Sequence, residues 1–134
     1  MTTSSWRPER AIEMVAGTPP GGGQDRPARA LAEILQTQRL LEQPMHVVNM
    51  TGKGGGVAWD HIRAHPGDAH WVAISSPPLL TNRIIGVSDY DHDELTPIAT
   101  LYSEYVAFVV PADCPIHSAA DLVSRLAADT ARVS

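Results

Sequence analysis

Ala11-Ile12-Glu13-Met14-Val15, running directly into Gly17-Thr18-Pro19-Pro20-Gly21-Gly22-Gly23-Gln24-Asp25, is the stretch that decides the fold. A short apolar run that breaks at once into a Gly/Pro-rich turn reads as a buried strand ending in a loop. From Asp25 the apolar residues Ala28, Leu31, Ala32 and Leu35 recur at i, i+3, i+4 and i+7, the spacing of one helical face. Pro27 falls in the first turn, where a missing N–H is tolerated. The reading is strand, loop, helix, with the apolar face of the helix against a sheet.

The same order follows twice more. Met45-His46-Val47-Val48-Asn49 reads as a second strand, and Gly52-Lys53-Gly54-Gly55-Gly56 turns the chain into a helix over 57–64. Trp71-Val72-Ala73-Ile74-Ser75 reads as a third strand, and Ser76-Pro77-Pro78 leads into a short helix over 79–84. Three such units in a row predict an α/β fold with a mostly parallel sheet, right-handed crossovers and flanking helices. After an acidic connection over 90–94, residues 98–102 and 105–110 read as two closely spaced strands. Ser118-Ala119-Ala120-Asp121 has the form of a helix start, followed by the stripe Leu122, Val123, Leu126 and Ala127. Ala131-Arg132-Val133-Ser134 reads as the opening of another strand, an odd place for a compact domain to stop, and truncation is expected.

Bulk composition narrows the function classes. A chain of 134 residues, 43% hydrophobic and 19% charged, can bury a real core and is far from the disordered composition range. Its formal net charge is -5, and its ten Lys and Arg are scattered rather than clustered, which argues against nucleic acid as a partner. The longest apolar run, Val106-Ala107-Phe108-Val109-Val110, is far short of a membrane span, so no membrane insertion is expected. No apolar secretory core follows Met1, which leaves export undecided. The single cysteine, Cys114, cannot form an internal disulfide and reads as a small, partly buried loop residue.

In a parallel sheet ligands bind at the carboxyl ends of the strands, and here all three ends carry suitable residues. The first loop offers Thr18, Pro20, Gly22, Gly23, Gln24 and Asp25, with backbone N–H groups and a helix start that favour an anion. The second offers Gly54 and Gly55 before another helix start. The third offers the hydroxyls of Ser75 and Ser76. Asp25 cannot itself hold a carboxylate; it would accept from a ligand hydroxyl or ammonium, or only stabilise its own helix start beside Arg29. Lys53 could supply a cation near the second loop or simply be solvated.

Other chemistries find less support. Neither glycine loop has the Gly-x-Gly-x-x-Gly or Lys-Ser/Thr pattern of a nucleotide site, so no cofactor is called for. His61 and His65 have a metal-like i, i+4 spacing, but Pro66-Gly67 follows at once and no further ligand is in place, so no metal site is assigned. Cys114 near His117 lacks an orienting group, and Ser75-Ser76 lacks a nucleophile elbow, so no catalytic residue is assigned.

Trp6-x-Pro8, Ile12-Glu13-Met14-Val15, Pro20-Gly21-Gly22-Gly23-x-Asp25 and Ala28-Arg29-x-Leu31-Ala32 together resemble the opening of the tripartite tricarboxylate transporter receptors, the Bug/TctC family. Pro44-x-x-Val47-Val48-Asn49, Gly52-x-Gly54-Gly55, Pro66-Gly67-Asp68 and Thr96-Pro97-Ile98-Ala99 continue that resemblance in order. It implies a periplasmic-binding-protein type II lobe, with a tail over 1–10, a first ligand-binding lobe over 11–104, and a crossover with the start of an incomplete second lobe over 105–134. It also implies a periplasmic, non-enzymatic receptor that takes a small carboxylate and delivers it to membrane permease subunits. In the family the first two loops hold a carboxylate through backbone N–H groups and waters, which carries over to Gly22, Gly23, Gly54 and Gly55, with Asp25, Ser75 and Ser76 beside them. Thr18-Pro19-Pro20 and Asn49-Met50-Thr51-Gly52 depart from the usual pattern. The alternatives are a small α/β hydrolase or phosphate-handling enzyme on the same loops, or a non-binding fragment.

Overall fold

The computed structural model of the chain describes residues 6–128. Three strands, β1 (Ile12–Ala16), β2 (Met45–Asn49) and β3 (Trp71–Ile74), form one sheet in the order β2-β1-β3. Both pairings are parallel; Ile12 lies opposite Met45 and Ala16 opposite Asn49, while Glu13 lies opposite Trp71 and Ala16 opposite Ile74. The helices α1 (Asp25–Thr37), α2 (Gly56–Arg63) and α3 (Pro78–Ile84) follow the three strands in turn. The predicted units are all present, with ends displaced by a residue or so.

Strand alternation assigns the two faces of the sheet. Ile12, Met14 and Ala16 pack with Ala28 and Ala32 of α1, with Met45 and Ile74 on the flanking strands. Leu31 and Leu35, the other members of the predicted stripe, close over that cluster. Glu13 projects to the opposite side, where its Oε1 meets Nε2 of His61 on α2 at 3.1 Å. Val15 and Trp59 are the largest fully buried side chains. Tyr90 closes over Trp59, with ring centroids 5.4 Å apart and its hydroxyl donating to the Trp59 carbonyl at 3.3 Å. Burial pushes the Tyr90 phenol up to about 12.

Residues preceding β1 are tied to the turn before β3. The Trp6 ring meets His70 edge-on, Glu9 N–H donates to His70 Nε2 at 3.1 Å, and Arg10 pairs with Asp68. His61 and His65, weighed above as metal ligands, pack instead around Trp71, with His65 stacked 4.0 Å from its ring. Both rings thus sit in aromatic contact.

The chain divides into two compact units, Met1–Pro97 and Ile98–Ser134. In the second, α4 (Ala119–Ala128) starts as predicted, with Asp121 N–H donating to Ser118 Oγ at 3.1 Å. The strands predicted over 98–102 and 105–110 are not formed. Tyr105, Val106, Phe108 and Val109 are 85% to 103% exposed, and among the described residues no neighbouring strand pairs with them. An apolar run shows what a segment would gain by burial, but a strand also needs a partner for its backbone hydrogen bonds. The predicted strand at 131–134 lies outside the described residues.

Trp59 is the keystone of the α2 side, so Trp59→Ala is expected to cost about 3–5 kcal/mol, read as a lowered urea midpoint at unchanged slope.

Candidate functional site

The connection from β1 goes to β2 on one side, and the connection from β2 returns past β1 to β3 on the other. In an open parallel sheet such a reversal makes the carboxyl ends of β1 and β3 the usual place for a ligand crevice. The loop over 17–24 and the Ser75-Ser76-Pro77 turn both begin there, and the glycine turn after β2 reaches back to Gly17 and to α3.

Asp25 organises the first loop. Its side chain is 4% exposed, and its two oxygens are enclosed by donors. Oδ2 accepts from Gly21 N–H at 2.7 Å, Oδ1 accepts from Asn49 Nδ2 at 2.8 Å, and Arg29 Nε lies 3.0 and 3.1 Å from the two. Arg29 first, then the Gly21 amide and Asn49, hold the carboxyl down to about 2. Of its two readings, Asp25 matches the one in which it stabilises its own helix start beside Arg29, because a buried carboxylate collects the nearest donors.

Asn49 joins that anchor to the second strand. Its Nδ2 also donates to the Thr18 carbonyl at 2.9 Å, and its Oδ1 accepts from Arg29 at 3.1 Å. Gln24, 7% exposed, ties the same loop to the third strand. Its Oε1 accepts from Gly17 N–H at 2.8 Å, its Nε2 donates to Ser76 Oγ at 2.9 Å, and its N–H donates to Thr18 Oγ1 at 3.3 Å. Pro20 is exposed at the loop tip and Gly23 is exposed beside it.

The two glycine loops touch. A Cβ on Gly17 would lie 3.2 Å from Gly55 Cα, so backbone meets backbone there. Gly54 adopts φ +62, and a Cβ on it would lie 2.5 Å from Asn82 Nδ2. That buried amide donates to the Gly54 carbonyl at 3.0 Å and fixes the second loop from α3. Gly22 N–H donates to Pro19 O and Gly55 N–H to Gly52 O, both at 2.9 Å, so these two amides are engaged within their own turns. Lys53 is exposed. Ser75 Oγ is buried without a partner among the described residues.

The structure therefore brings Thr18, Gln24, Asp25 and Ser76 into one connected network and places Gly54 and Gly55 against its edge. Arg29 was weighed as the neighbour of Asp25, while Asn49 and Asn82 were not among the site residues singled out. Asn49 carried a legible signal, a polar side chain closing an apolar strand at the sheet's carboxyl end. Asn82 meets Gly54 across 28 residues and carried none.

Fold and site together define an α/β lobe of the periplasmic-binding-protein kind. No family model matches the chain. A TctC solute-binding protein from Polaromonas, solved without ligand, superposes with a TM-score of 0.68 at 30% identity, over 88% of this chain and 40% of that one. A UPF0065 protein encoded between tcbD and tcbE in Pseudomonas sp. strain P51 is 34% identical over an alignment of 125 positions, covering 84% of this chain and 36% of its own length. BugT of Bordetella pertussis is 39% identical over 69 residues, 52% of this chain and 21% of BugT. The chain belongs to the Bug/TctC family and spans roughly two fifths of the length of the solved relative. That relative is a solute-binding protein.

Asp25 yields a signed pH prediction. Its folded value of about 2 lies below the unfolded value of about 3.9, so its contribution is complete above pH ~4 and lost as pH falls toward 2. Asp25→Asn should lower the thermal midpoint at neutral pH, because its amide would present a donor to Gly21 N–H or Arg29. The gap between variant and parent should narrow from pH ~4 downward; a gap constant with pH would contradict the ionised anchor.

Proposed function

We propose that this chain forms the first lobe of an extracytoplasmic solute-binding receptor that takes a small organic acid of the di- or tricarboxylate kind and passes it to membrane permease subunits of a tripartite tricarboxylate transporter. The observation that carries the reading is the convergence at the carboxyl end of β1. The start of α1, the glycine turn after β2 and the Ser75-Ser76 turn all open on that end in a fold shared with a TctC solute-binding protein. A helix start favours negative charge through its unpaired N–H groups, and a buried hydroxyl without a protein partner is one that water or a ligand atom satisfies.

In this reading recognition falls on side-chain hydroxyls and the field of the α1 start more than on the Gly22 and Gly55 amides, which are engaged internally. Asp25, Asn49 and Arg29 shape the loop without touching the solute. Binding proteins of this architecture use two lobes that close around the ligand, and the domain plan is a first lobe over 11–104 with the crossover from 105 onward. No helix among the described residues is long and apolar enough to cross a membrane, as suits a receptor whose permease is a separate chain.

One lobe of a clamp gives weak binding, so the affinity of this chain for succinate or citrate should be near millimolar, about 4 kcal/mol. Titration of the 15N-labelled chain with each acid, at constant ionic strength, is expected to shift amides in 17–25, 52–56 and 75–77. Shifts scattered over the surface, or equal shifts with sodium chloride alone, would refute the carboxylate crevice.

A further inference from the structure

We infer that Gln24 sets the ligand polarity of the crevice by occupying one lone pair of Ser76 and leaving its hydroxyl proton for the solute. The inference rests on the solute-binding reading above and deepens it, since it names the chemistry the third loop can accept.

The argument starts from the one fixed end of the Gln24 amide. Gly17 N–H can only donate, and it lies 2.8 Å from Gln24 Oε1, so that side of the amide must be the oxygen. The amide nitrogen is then committed to the other side, where it meets Ser76 Oγ at 2.9 Å. With Gln24 buried and its backbone N–H also engaged by Thr18 Oγ1, the side chain has no low-cost alternative arrangement. An NH2 group can only donate, so Ser76 Oγ must accept.

A hydroxyl has one proton, and one of its lone pairs is now occupied by Gln24. Its proton therefore points away from Gln24, and among the described residues no protein acceptor takes it. Ser76 lies two residues beyond β3, and its bond to Gln24 joins that turn to the residue before α1. A solute acceptor placed against it can take that proton, and one lone pair is the acceptor capacity Ser76 keeps. The nearest carboxylate in the first loop, Asp25, is enclosed by Arg29, Asn49 and Gly21 and presents no competing acceptor. The solute atom that takes this proton is an acceptor, best a carboxylate oxygen.

Gln24→Glu tests this with almost no change of shape. The carboxylate still accepts from Gly17 N–H, but it also accepts from Ser76, drawing the hydroxyl proton inward and turning a lone pair toward the crevice. The added charge would by itself weaken an anion, so the measurement is a double-mutant cycle with Ser76→Ala. Succinate and the uncharged isostere succinamide are titrated into the 15N-labelled full chain, and the ratio of their affinities is read for each variant. The parent is expected to prefer succinate. Gln24→Glu should cut that preference by about tenfold with Ser76 present and much less in the Ser76→Ala background, as expected for one charged hydrogen bond. Gln24→Met, neutral and of similar size, leaves Ser76 free to rotate; it should lower the preference in the parent and not in Ser76→Ala, which keeps the test intact if Gln24→Glu fails to fold. Equal effects of the Gln24 substitutions in both backgrounds overturn the inference while leaving the solute-binding reading in place. If neither probe shifts amides of 17–25 or 75–77 in the parent, the solute-binding reading fails and the inference falls with it.

Discussion

A single carboxylate holds the first loop to the sheet. Asp25 receives the Gly21 amide from its own loop, the Asn49 side chain from β2 and the Arg29 guanidinium from one helical turn on, while exposing 4% of its side chain. Placing a charge there carries a desolvation cost that only a nearly complete set of donors can offset. The requirement is strict enough to dictate geometry. Gly21 must turn with φ +80 to present its N–H, Asn49 must stand at the last residue of β2, and α1 must begin at Asp25 so that Arg29 falls on the same face.

From that anchor the constraints pass outward as hydrogen bonds between neighbouring strand ends. Asn49 holds the Thr18 carbonyl, Thr18 Oγ1 takes the Gln24 amide, and the Gln24 side chain spans from Gly17 to Ser76. The chain of contacts thus crosses the carboxyl edge from β2 through β1 to β3, in the spatial order of the sheet. The second glycine loop is held from the other direction by Asn82 on α3, and its Gly55 rests against Gly17. A site assembled in this way has polar groups whose orientations are determined before any solute arrives, which reduces the ordering cost of binding.

Much of the scaffold was legible because its causes are local. The runs before Gly17, after Pro44 and before Ser76 announce buried strands by composition and by the turns that end them. The Ala28, Leu31, Ala32, Leu35 stripe announces the helix face that covers β1. The polar network was legible only in part, because hydrogen-bond partners are chosen in space. Nothing near Asn82 in the chain points to Gly54, and nothing near Gln24 points to Ser76, 52 positions away. Residues 98–110 were misread for the complementary reason. Val106, Phe108 and Val109 have strand composition, but composition cannot supply the neighbouring backbone that a strand requires.

The same distinction bears on how a glycine-rich loop should be interpreted. Counted from the sequence, the two loops offer a surplus of backbone N–H groups for an anion. In the folded lobe the amides of Gly21, Gly22 and Gly55 are spent on Asp25, Pro19 and Gly52, and those bonds are what give the loops their shape. Glycines here are needed first for close approach and for φ values that a side chain would resist, as at Gly54, and their donors are not automatically available to a ligand. Selectivity then shifts to groups whose remaining hydrogen-bonding capacity is forced by their neighbours. A serine hydroxyl alone offers one proton and two lone pairs; beside a buried amide whose oxygen is fixed by a backbone N–H, it keeps the proton and a single lone pair. Solute polarity in such a crevice is therefore written in the residue behind the serine as much as in the serine itself.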